Sequence, residues 1–347
     1  MHREGAMKTS TFVLRRTAYA ILTLFGLSIL VFIIARVLPG DPARMAAGPR
    51  APGWVVEQIR QQLGLNKPLY EQYFSWLFNL FHGDLGYSLY SQRNVSADVL
   101  EFLPASLELV FLAAIFEVVG AFTLGIIGGS YSNKWPDTIL RIISYVGIAI
   151  PSFVLAIVLQ LVFTWYIPIF PTFGRLSTDV LSPQRITGFI SIDSLITGRL
   201  DALGNLGWHL VLPAFAVCAG GMLQDARIIR SGMVENQSKD YITMAVSKGM
   251  PTNLIRFRYL LKPSIIPAIT VMGMDIASIL ANAFLVERIF NYPGFSKYGI
   301  TVMLAKDLNG IVAVVLVVGI IFTIANILAD IIVGYVDPRI RLMERGD

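Results

Sequence analysis

The most regular feature of the sequence is a series of long apolar runs separated by polar stretches. Six runs are long enough for a helix to cross roughly 30 Å of hydrocarbon at about 1.5 Å per residue. They cover residues 14–38, 104–130, 139–168, 207–230, 263–287 and 309–336. The pattern predicts an all-α membrane protein in which residues 1–347 form a single transmembrane domain with six membrane-spanning helices.

Basic residues are distributed unevenly between the two sides that six spans define. Lys and Arg are denser before the first span, in residues 131–141 and 227–262, and after the last span than in the opposite loops, which are much longer. Cytoplasmic loops typically carry such an excess. We therefore expect a multi-pass protein of the plasma membrane with both termini on the cytoplasmic side.

Two of the external segments are too long to be simple connections. Residues 39–103 contain two amphipathic stretches, Trp54–Leu63 and Leu69–Phe81, and residues 168–206 combine Pro and Gly with short apolar patches. Long structureless loops are uncommon in compact domains, and the apolar patches need a partner. We predict that both segments fold into an external cap, with the second segment packed on the first.

A polar and basic stretch, residues 240–267, separates the fourth and fifth apolar runs. It is too short and too polar to cross a bilayer. Its pattern predicts a first helix that begins near Ser238 or Asp240, whose side chains can cap free N–H groups, and that ends at Gly249 in a left-handed cap. Pro251 prevents this helix from continuing.

A second helix is predicted in the same stretch. Thr252 is expected to cap its start, and Lys262–Pro263 to end it. Two interpretations of residues 238–262 stay open. The basic residues could simply follow the positive-inside rule, or the two helices could form a docking element for a soluble partner.

The composition supports an integral membrane protein. Hydrophobic residues make up 55% of the chain and charged residues 15%, and the mean hydropathy is +0.64. A soluble domain of this size would have too little interior for so many apolar residues. The net charge of +5 comes from basic residues beside apolar runs, which indicates contact with anionic lipid headgroups rather than with nucleic acid.

Residues for enzymatic chemistry are missing from the sequence. It has no Gly-x-x-x-x-Gly-Lys-Ser/Thr phosphate-binding loop. The histidines His2, His82 and His209 lie far apart in the predicted topology, and no Ser or Cys has an identifiable base. The single Cys218 excludes a disulfide within the chain and a Cys-based metal cluster. We expect no catalytic residue, no metal site and no cofactor, so that energy for transport would come from another chain.

Four carboxylates in the predicted spans need an explanation, because each costs about 2.5–3.5 kcal/mol at a bilayer centre unless it faces protein or water. Glu108 and Asp330 lie near span ends, which favours local structural pairing. Glu117 and Asp275 lie deeper and are candidates for a transport pathway. For Asp275 an alternative stays open, in which it is protonated or hydrogen-bonded to a neighbouring helix.

Proline and glycine residues are expected to shape two of the spans. Pro151 interrupts the third span and predicts a kink, which either widens a central cavity or is simply a tolerated bend. Small residues allow helices to approach closely. Four glycines of the second span can do so: Gly120, Gly125, Gly128 and Gly129.

Several short motifs resemble those of one transporter family. Ala245-x-x-x-Gly249 followed by Pro267 resembles the cytoplasmic "EAA" loop of ABC-importer membrane subunits, in the longer-spaced form of the dipeptide/oligopeptide permease branch. Thr243 and Met244 stand where Glu and Ala are usual. Further similar motifs occur in this order: Gly40-Asp41-Pro42, Leu63-Gly64-Leu65, Gly83-Asp84-Leu85-Gly86, Pro104–Leu109, Ile150–Phe153, Arg227–Ser231, Phe290–Phe295 and Asp337–Arg341.

The resemblance implies the type I fold of ABC-importer permeases and a role as half of a translocation pathway for peptides. It implies a second homologous permease, two cytoplasmic ATPase subunits and an extracytoplasmic solute-binding protein, in the inner membrane of a prokaryote. The external segments would form the surface on which the binding protein lands. The ATPase-coupling residues would be Asp240, Ala245, Lys248, Gly249, Met250 and Pro251.

Other functions are compatible with parts of the pattern. Related permeases import nickel chelates, oligosaccharides or opines. An ion-coupled secondary transporter would use Glu117 and Asp275 as proton sites, and a receptor would merely bind a partner. A secondary transporter has no need of a docking element for an ATPase, and it often shows an inverted repeat that is not apparent in this sequence.

Overall fold

The computed structural model describes residues 9–37, 42–48, 50–62 and 64–336. The Gly40-Asp41 pair, Leu63 and the motif at residues 337–341 lie outside the described residues, as do both ends of the chain. The helices are α1 (Thr9–Val37), α2 (Pro42–Ala47), α3 (Gly53–Gln62), α4 (Leu69–Phe81), α5 (Val95–Ser130), α6 (Trp135–Ala149), α7 (Ser152–Gln160, continued by a π-helical segment Leu161–Tyr166), α8 (Ile190–Ile196), α9 (Leu200–Gln237), α10 (Asp240–Ser247), α11 (Thr252–Leu254, continued by a π-helical segment Ile255–Leu261), α12 (Lys262–Ile289), α13 (Phe295–Leu304) and α14 (Leu308–Val336).

The predicted all-helical membrane fold is confirmed, with one change to the spans. Within the described residues five helices are long and apolar enough to cross a membrane. The pair α6 and α7 forms a sixth if it is counted as one span, but it is bent by 106°. The interruption that Pro151 predicts within the span at residues 139–168 is present as a full break at Ile150–Pro151, and α7 starts only after the proline.

The second span starts earlier than predicted. Helix α5 begins at Val95 and contains Pro104 in its interior. Proline has no N–H to donate to the carbonyl four residues before it. In this helix that carbonyl, of Leu100, accepts a hydrogen bond from Arg185 Nη2 at 3.2 Å. A partner from the external insert therefore compensates for the proline, which a reading of the local sequence cannot anticipate.

Helices α5, α9 and α12 form the centre of the fold, and glycines of α5 set the distance between α5 and α9. A Cβ atom at Gly125 would lie 2.9 Å from the Ala226 carbonyl oxygen and 2.7 Å from Ile229 Cβ. At Gly129 it would lie 2.7 Å from Met233 Cβ. Since real Cβ atoms do not approach other atoms so closely, only glycine permits this packing. The predicted role of the α5 glycines is confirmed.

We predict that Gly125→Ala destabilises the chain by about 1–3 kcal/mol, the usual cost of overpacking, because the Ala226 backbone cannot move aside. The thermal midpoint of the purified chain in detergent measures the effect. Gly220→Ala is the matched control, since a Cβ at Gly220 of α9 would meet nothing within 4 Å. Equal midpoints for the two variants would contradict the assigned role of Gly125.

The first external segment is anchored on two parts of the membrane domain. Helices α3 and α4 confirm the two amphipathic stretches predicted there. Tyr73 of α4 hydrogen-bonds Ser28 of α1 at 2.8 Å, and its ring lies 5.3 Å from that of Phe32. Farther along, the Ser88 hydroxyl donates to the Asp307 carboxylate, just before α14.

The second external segment is ordered by two carboxylates. Glu108 of α5 forms an ion pair with Arg175 and accepts hydrogen bonds from the Ser191 amide and hydroxyl, both at 2.7 Å. Burial opposes ionisation of Asp193, but hydrogen bonds from Thr187 and from neighbouring amides lower the pKa of its carboxyl below the usual value. The insert is thus fixed to the membrane domain, while its packing on the first segment stays a prediction.

Candidate functional site

The element between α9 and α12 has the local geometry that its sequence predicts at Gly249. Helix α10 ends at Ser247, and Gly249 adopts a φ of +67°. The Gly249 amide donates to the Val246 carbonyl at 2.9 Å, and the Met250 amide to the Ala245 carbonyl at 3.2 Å. These bonds satisfy carbonyls at the helix end and turn the chain toward α11. The predicted left-handed cap is confirmed.

The predicted side-chain caps at the helix starts are wrong. The Ser238 hydroxyl donates backward to the Glu235 carbonyl at 2.9 Å, and α10 begins without a side-chain cap. Helix α11 begins after Pro251, also without one, so Thr252 does not act as the cap. Here Pro251, with a φ of −57°, sets the entry into the helix.

The second helix does not end at Lys262–Pro263 as predicted. It passes through a π-helical segment and continues as α12 to Ile289, so that residues 252–289 form one span. The Ser264 hydroxyl donates to the Leu260 carbonyl at 2.7 Å. The wider π turn just before Pro263 accommodates the proline, which would otherwise interrupt the helix.

Helix α10 is attached to the spans through its inner face. Ile242 and Ala245 are buried in an apolar cluster with residues of three spanning helices, which we call the coupling cluster. It contains Ala121 of α5, Ile229 and Met233 of α9, Ile242 and Ala245 of α10, Ile255, Leu260 and Leu261 of the π segment, and Ala268 and Met272 of α12. Displacement of α10 would therefore be transmitted directly to α5, α9 and α12.

The outer face of α10 is apolar and exposed. Met244 is 56% exposed and Val246 60%, with Tyr241 beside them at 41%. Of the six predicted coupling residues, Asp240, Lys248, Gly249 and Pro251 are exposed and Met250 is partly exposed, whereas Ala245 is buried. Ala245 consequently packs within the protein, and the others are available to a partner.

The break in the third span borders a half-open apolar groove. The groove lies next to the bend between α6 and α7 and has a volume of about 320 Å³. Its lining includes Ile142, Val146, Ile150, Leu155, Phe215 and Leu223. The kink predicted at Pro151 is thus confirmed and sharper than a simple proline bend, while a place for Pro151 in a transport pathway stays a prediction.

Three carboxylates meet at the centre of the membrane domain. One oxygen from each of Glu117, Asp225 and Asp275 lies within 4.8 Å of the other two. We call this group the carboxylate triad. At about 1.5 Å per residue, each lies roughly 18–20 Å from the end of its helix on the α10 side, so α5, α9 and α12 bring them to the same depth.

Within the described residues, the triad has no counter-charge and few hydrogen bonds. Glu117 is 1% exposed and Asp225 0%, whereas Asp275 is partly exposed. Glu117 Oε1, both oxygens of Asp225 and Asp275 Oδ2 are buried and accept no hydrogen bond. Buried carboxylates normally have such partners. A site of this composition can bind a cation.

The sequence interpretation identified two members of the triad and missed the third. Asp225 lies inside the span predicted at residues 207–230, so the burial cost that singles out Glu117 and Asp275 applies to it as well. The pairing predicted for the two outlying carboxylates is confirmed. Glu108 pairs with Arg175, and Asp330 lies 3.2 Å from Arg16.

A further buried carboxylate, Glu287, joins three elements on the external side. It accepts hydrogen bonds from the Ser106 hydroxyl of α5 and from the Lys297 amide of α13, the latter at 2.9 Å. The Ser106 hydroxyl in turn accepts from the Phe295 amide at 2.7 Å. Glu287 lies at the last position of a predicted span and was missed. The sequence feature that could have identified Glu287 is the pair of motifs that it connects, Pro104–Leu109 and Phe290–Phe295.

Comparison with known proteins identifies a family along almost the whole chain. Residues 121–342 match the family described as "Binding-protein-dependent transport system inner membrane component". Residues 9–110 match "Binding-prot-dependent transport system membrane comp, N-term". The two matches together include the coupling cluster and, of the triad, Asp225 and Asp275.

Three curated relatives extend over nearly the full length. The probable D,D-dipeptide transport system permease protein DdpB of Escherichia coli (strain K12) is 37% identical over 329 residues, covering 94% of this chain and 97% of that protein. The dipeptide transport system permease protein DppB of Alkalihalophilus pseudofirmus is 32% identical, covering 95% and 99%. The glutathione transport system permease protein GsiC of Escherichia coli (strain K12) is 31% identical, covering 95% and 98%. From these matches, the chain belongs to the family of binding-protein-dependent transport system inner membrane components and is a multi-pass permease subunit, not an enzyme.

Proposed function

We propose that the chain forms half of the translocation pathway of an ATP-binding-cassette importer for peptides. The observation that carries the proposal is helix α10, which presents Tyr241, Met244 and Val246 outward while its inner face shares the coupling cluster with three spans. A soluble ATPase that binds the outer face would move α5, α9 and α12 together. Peptides are the proposed solutes because three relatives are named for D,D-dipeptide, dipeptide and glutathione transport.

The proposed complex contains a second homologous permease, two cytoplasmic ATPase subunits and an extracytoplasmic solute-binding protein. The binding protein would land on the external segments, which the structure describes at residues 42–48, 50–62, 64–94 and 168–199, on the side opposite α10. Both termini would lie on the ATPase side, at the inner membrane of a prokaryote, in agreement with the excess of Lys and Arg there.

ATP hydrolysis in the partner subunits would drive alternating access. Asp240, Lys248, Gly249 and Pro251 would contribute to the docking surface, and Met250 to its edge. Closure of the ATPases would displace α10, and the coupling cluster would rotate the spans around a pathway that includes Glu117, Asp275 and the bend at Pro151. The two states would differ in packing between rigid helices, as in other mechanisms of this type.

Uptake by the reconstituted complex tests this proposal. The complex is isolated by a tag on this chain, placed in proteoliposomes with ATP inside, and supplied outside with its binding protein and radiolabelled L-alanyl-L-alanine. We expect accumulation with ATP and none with a non-hydrolysable analogue. Accumulation driven by a proton or sodium gradient without ATP would contradict the proposal, as would uptake restricted to nickel chelates, oligosaccharides or opines.

A further inference from the structure

We propose that the carboxylate triad of Glu117, Asp225 and Asp275 binds the terminal ammonium group of a peptide during its passage. This inference rests on the proposed function, because it names the part of the solute that the pathway recognises. It assigns a ligand to three side chains on three different helices, one of which, Asp225, the sequence alone did not single out.

The spacing of the triad fits an ammonium group. Such a group has three N–H donors in tetrahedral directions and no acceptor. With N···O distances of about 2.8 Å, three acceptors bound to it lie about 4.6 Å apart. The three carboxylate oxygens lie within 4.8 Å of one another, one on each helix, so each can accept one of the three donors.

The unpartnered oxygens indicate a ligand that carries positive charge. Asp225 is fully buried, yet neither of its oxygens accepts a hydrogen bond. Glu117 Oε1 is also buried and also accepts no hydrogen bond. No described Lys or Arg forms an ion pair with the triad. Charge and hydrogen bonding are therefore both unsatisfied, and a cationic donor supplies both.

Gly221 packs against the triad. It is partly exposed, and a Cβ atom at this position would lie 3.0 Å from Glu117 Oε1 and 3.4 Å from Asp275 Cβ. Glu117 and Asp225 are buried, so the partly exposed Asp275 beside Gly221 is the member of the triad that a group from solvent meets first. A larger residue at position 221 would press against Glu117.

The triad lies directly against the coupling cluster. Each of its residues has a member of that cluster one helical turn farther toward α10: Ala121 follows Glu117, Ile229 follows Asp225, and Met272 precedes Asp275. Rotation of the helices by α10 would therefore change the separation of the three carboxylates. This links the position of the docking element to the geometry of the ammonium site.

Transport by charge-neutral variants tests the inference in the complete complex. Asp275→Asn and Asp225→Asn keep the size of the side chain but remove its charge. At saturating binding protein we expect each to reduce ATP-driven accumulation of L-alanyl-L-alanine about tenfold, while the complex elutes intact from size exclusion. Asp330→Asn is the matched control, since it removes a carboxylate that lies beside Arg16 outside the triad, and we expect a change of less than about twofold.

A protection experiment supplies a readout that does not depend on the binding protein or on turnover. The nucleotide-free complex in detergent is treated with a hydrophobic carbodiimide, and mass spectrometry quantifies modification of the triad. L-Alanyl-L-alanine is expected to reduce modification several-fold and N-acetyl-L-alanyl-L-alanine to leave it unchanged, with the exposed Glu235 as internal reference.

Three results would overturn the inference. They are normal uptake by both Asn variants in an assembled complex, equal protection by the acetylated and the free dipeptide, and protection by Ca²⁺ or Mn²⁺ alone, which would make the triad a metal site. Failure of the proposed function would look different, because the wild-type complex would then accumulate no dipeptide at all.

Discussion

Replacement of Gly249 by Val is expected to abolish most of the ATP hydrolysis that loaded binding protein stimulates, while the complex still assembles. Gly249 has a φ of +67°, in the left-handed region that a β-branched residue resists. The local cost is about 1–2 kcal/mol. A backbone that relaxes to negative φ removes the cap and changes the angle between α10 and α11, so the docking face no longer points at the ATPase.

Gly198→Val is the matched control for this experiment. Gly198 has a φ of +71°, and a Cβ at either glycine would meet nothing within 4 Å. Both substitutions thus impose the same kind of backbone strain, but Gly198 lies between α8 and α9 on the external side. Because Gly198 lies in the proposed landing surface, docking of the loaded binding protein is measured beside the ATPase activity of the purified complex. Gly249→Val should keep docking and lose stimulated activity, whereas Gly198→Val should keep stimulation in proportion to its docking. Normal stimulation of Gly249→Val, or losses that follow docking in both variants, would separate Gly249 from coupling.

The sequence predicts the spans and the Gly249 cap because both depend on local chemistry. Apolar runs identify the spanning helices, and glycine identifies a left-handed residue. The same local reasoning fails where a distant residue compensates or the helix itself adapts. Pro104 lies inside a helix because Arg185 donates to the freed Leu100 carbonyl, and Pro263 does not end one because the helix widens into a π segment before it.

The triad shows a different limit of sequence interpretation. The burial cost of a carboxylate singles out Glu117 and Asp275 one at a time and, applied consistently, would include Asp225. Whether the three carboxylates come together depends on how each of the three helices is rotated about its own axis. That rotation is set by close approaches such as that of Gly125 to Ile229, which a single sequence does not define. The residues of the site were thus largely predictable, but their assembly into one site was not.

Gly294→Ala is expected to cause a larger loss of stability than Gly125→Ala. A Cβ atom at Gly294 would lie 2.5 Å from Glu287 Cδ and 2.6 Å from its Oε1. Glu287 is fully buried and receives hydrogen bonds from the Ser106 hydroxyl and the Lys297 amide. The carboxylate cannot move aside without losing these bonds, and a buried charge left without partners costs about 3–5 kcal/mol. We expect little assembled complex and a markedly lower thermal midpoint for what remains.

Two comparisons identify the collision with Glu287 as the cause. Gly207→Ala adds the same methyl group in the external half of α9, where nothing lies within 4 Å, and should leave the thermal midpoint unchanged. In a double-mutant cycle with Glu287→Ala, the carboxylate that the added methyl group would strike is absent. Addition of Gly294→Ala to that background should then cost far less than in the wild type, since contacting residues have non-additive effects. If the stability losses of the two substitutions are instead additive, Gly294→Ala acts through the backbone of the turn before α13 and not through Glu287.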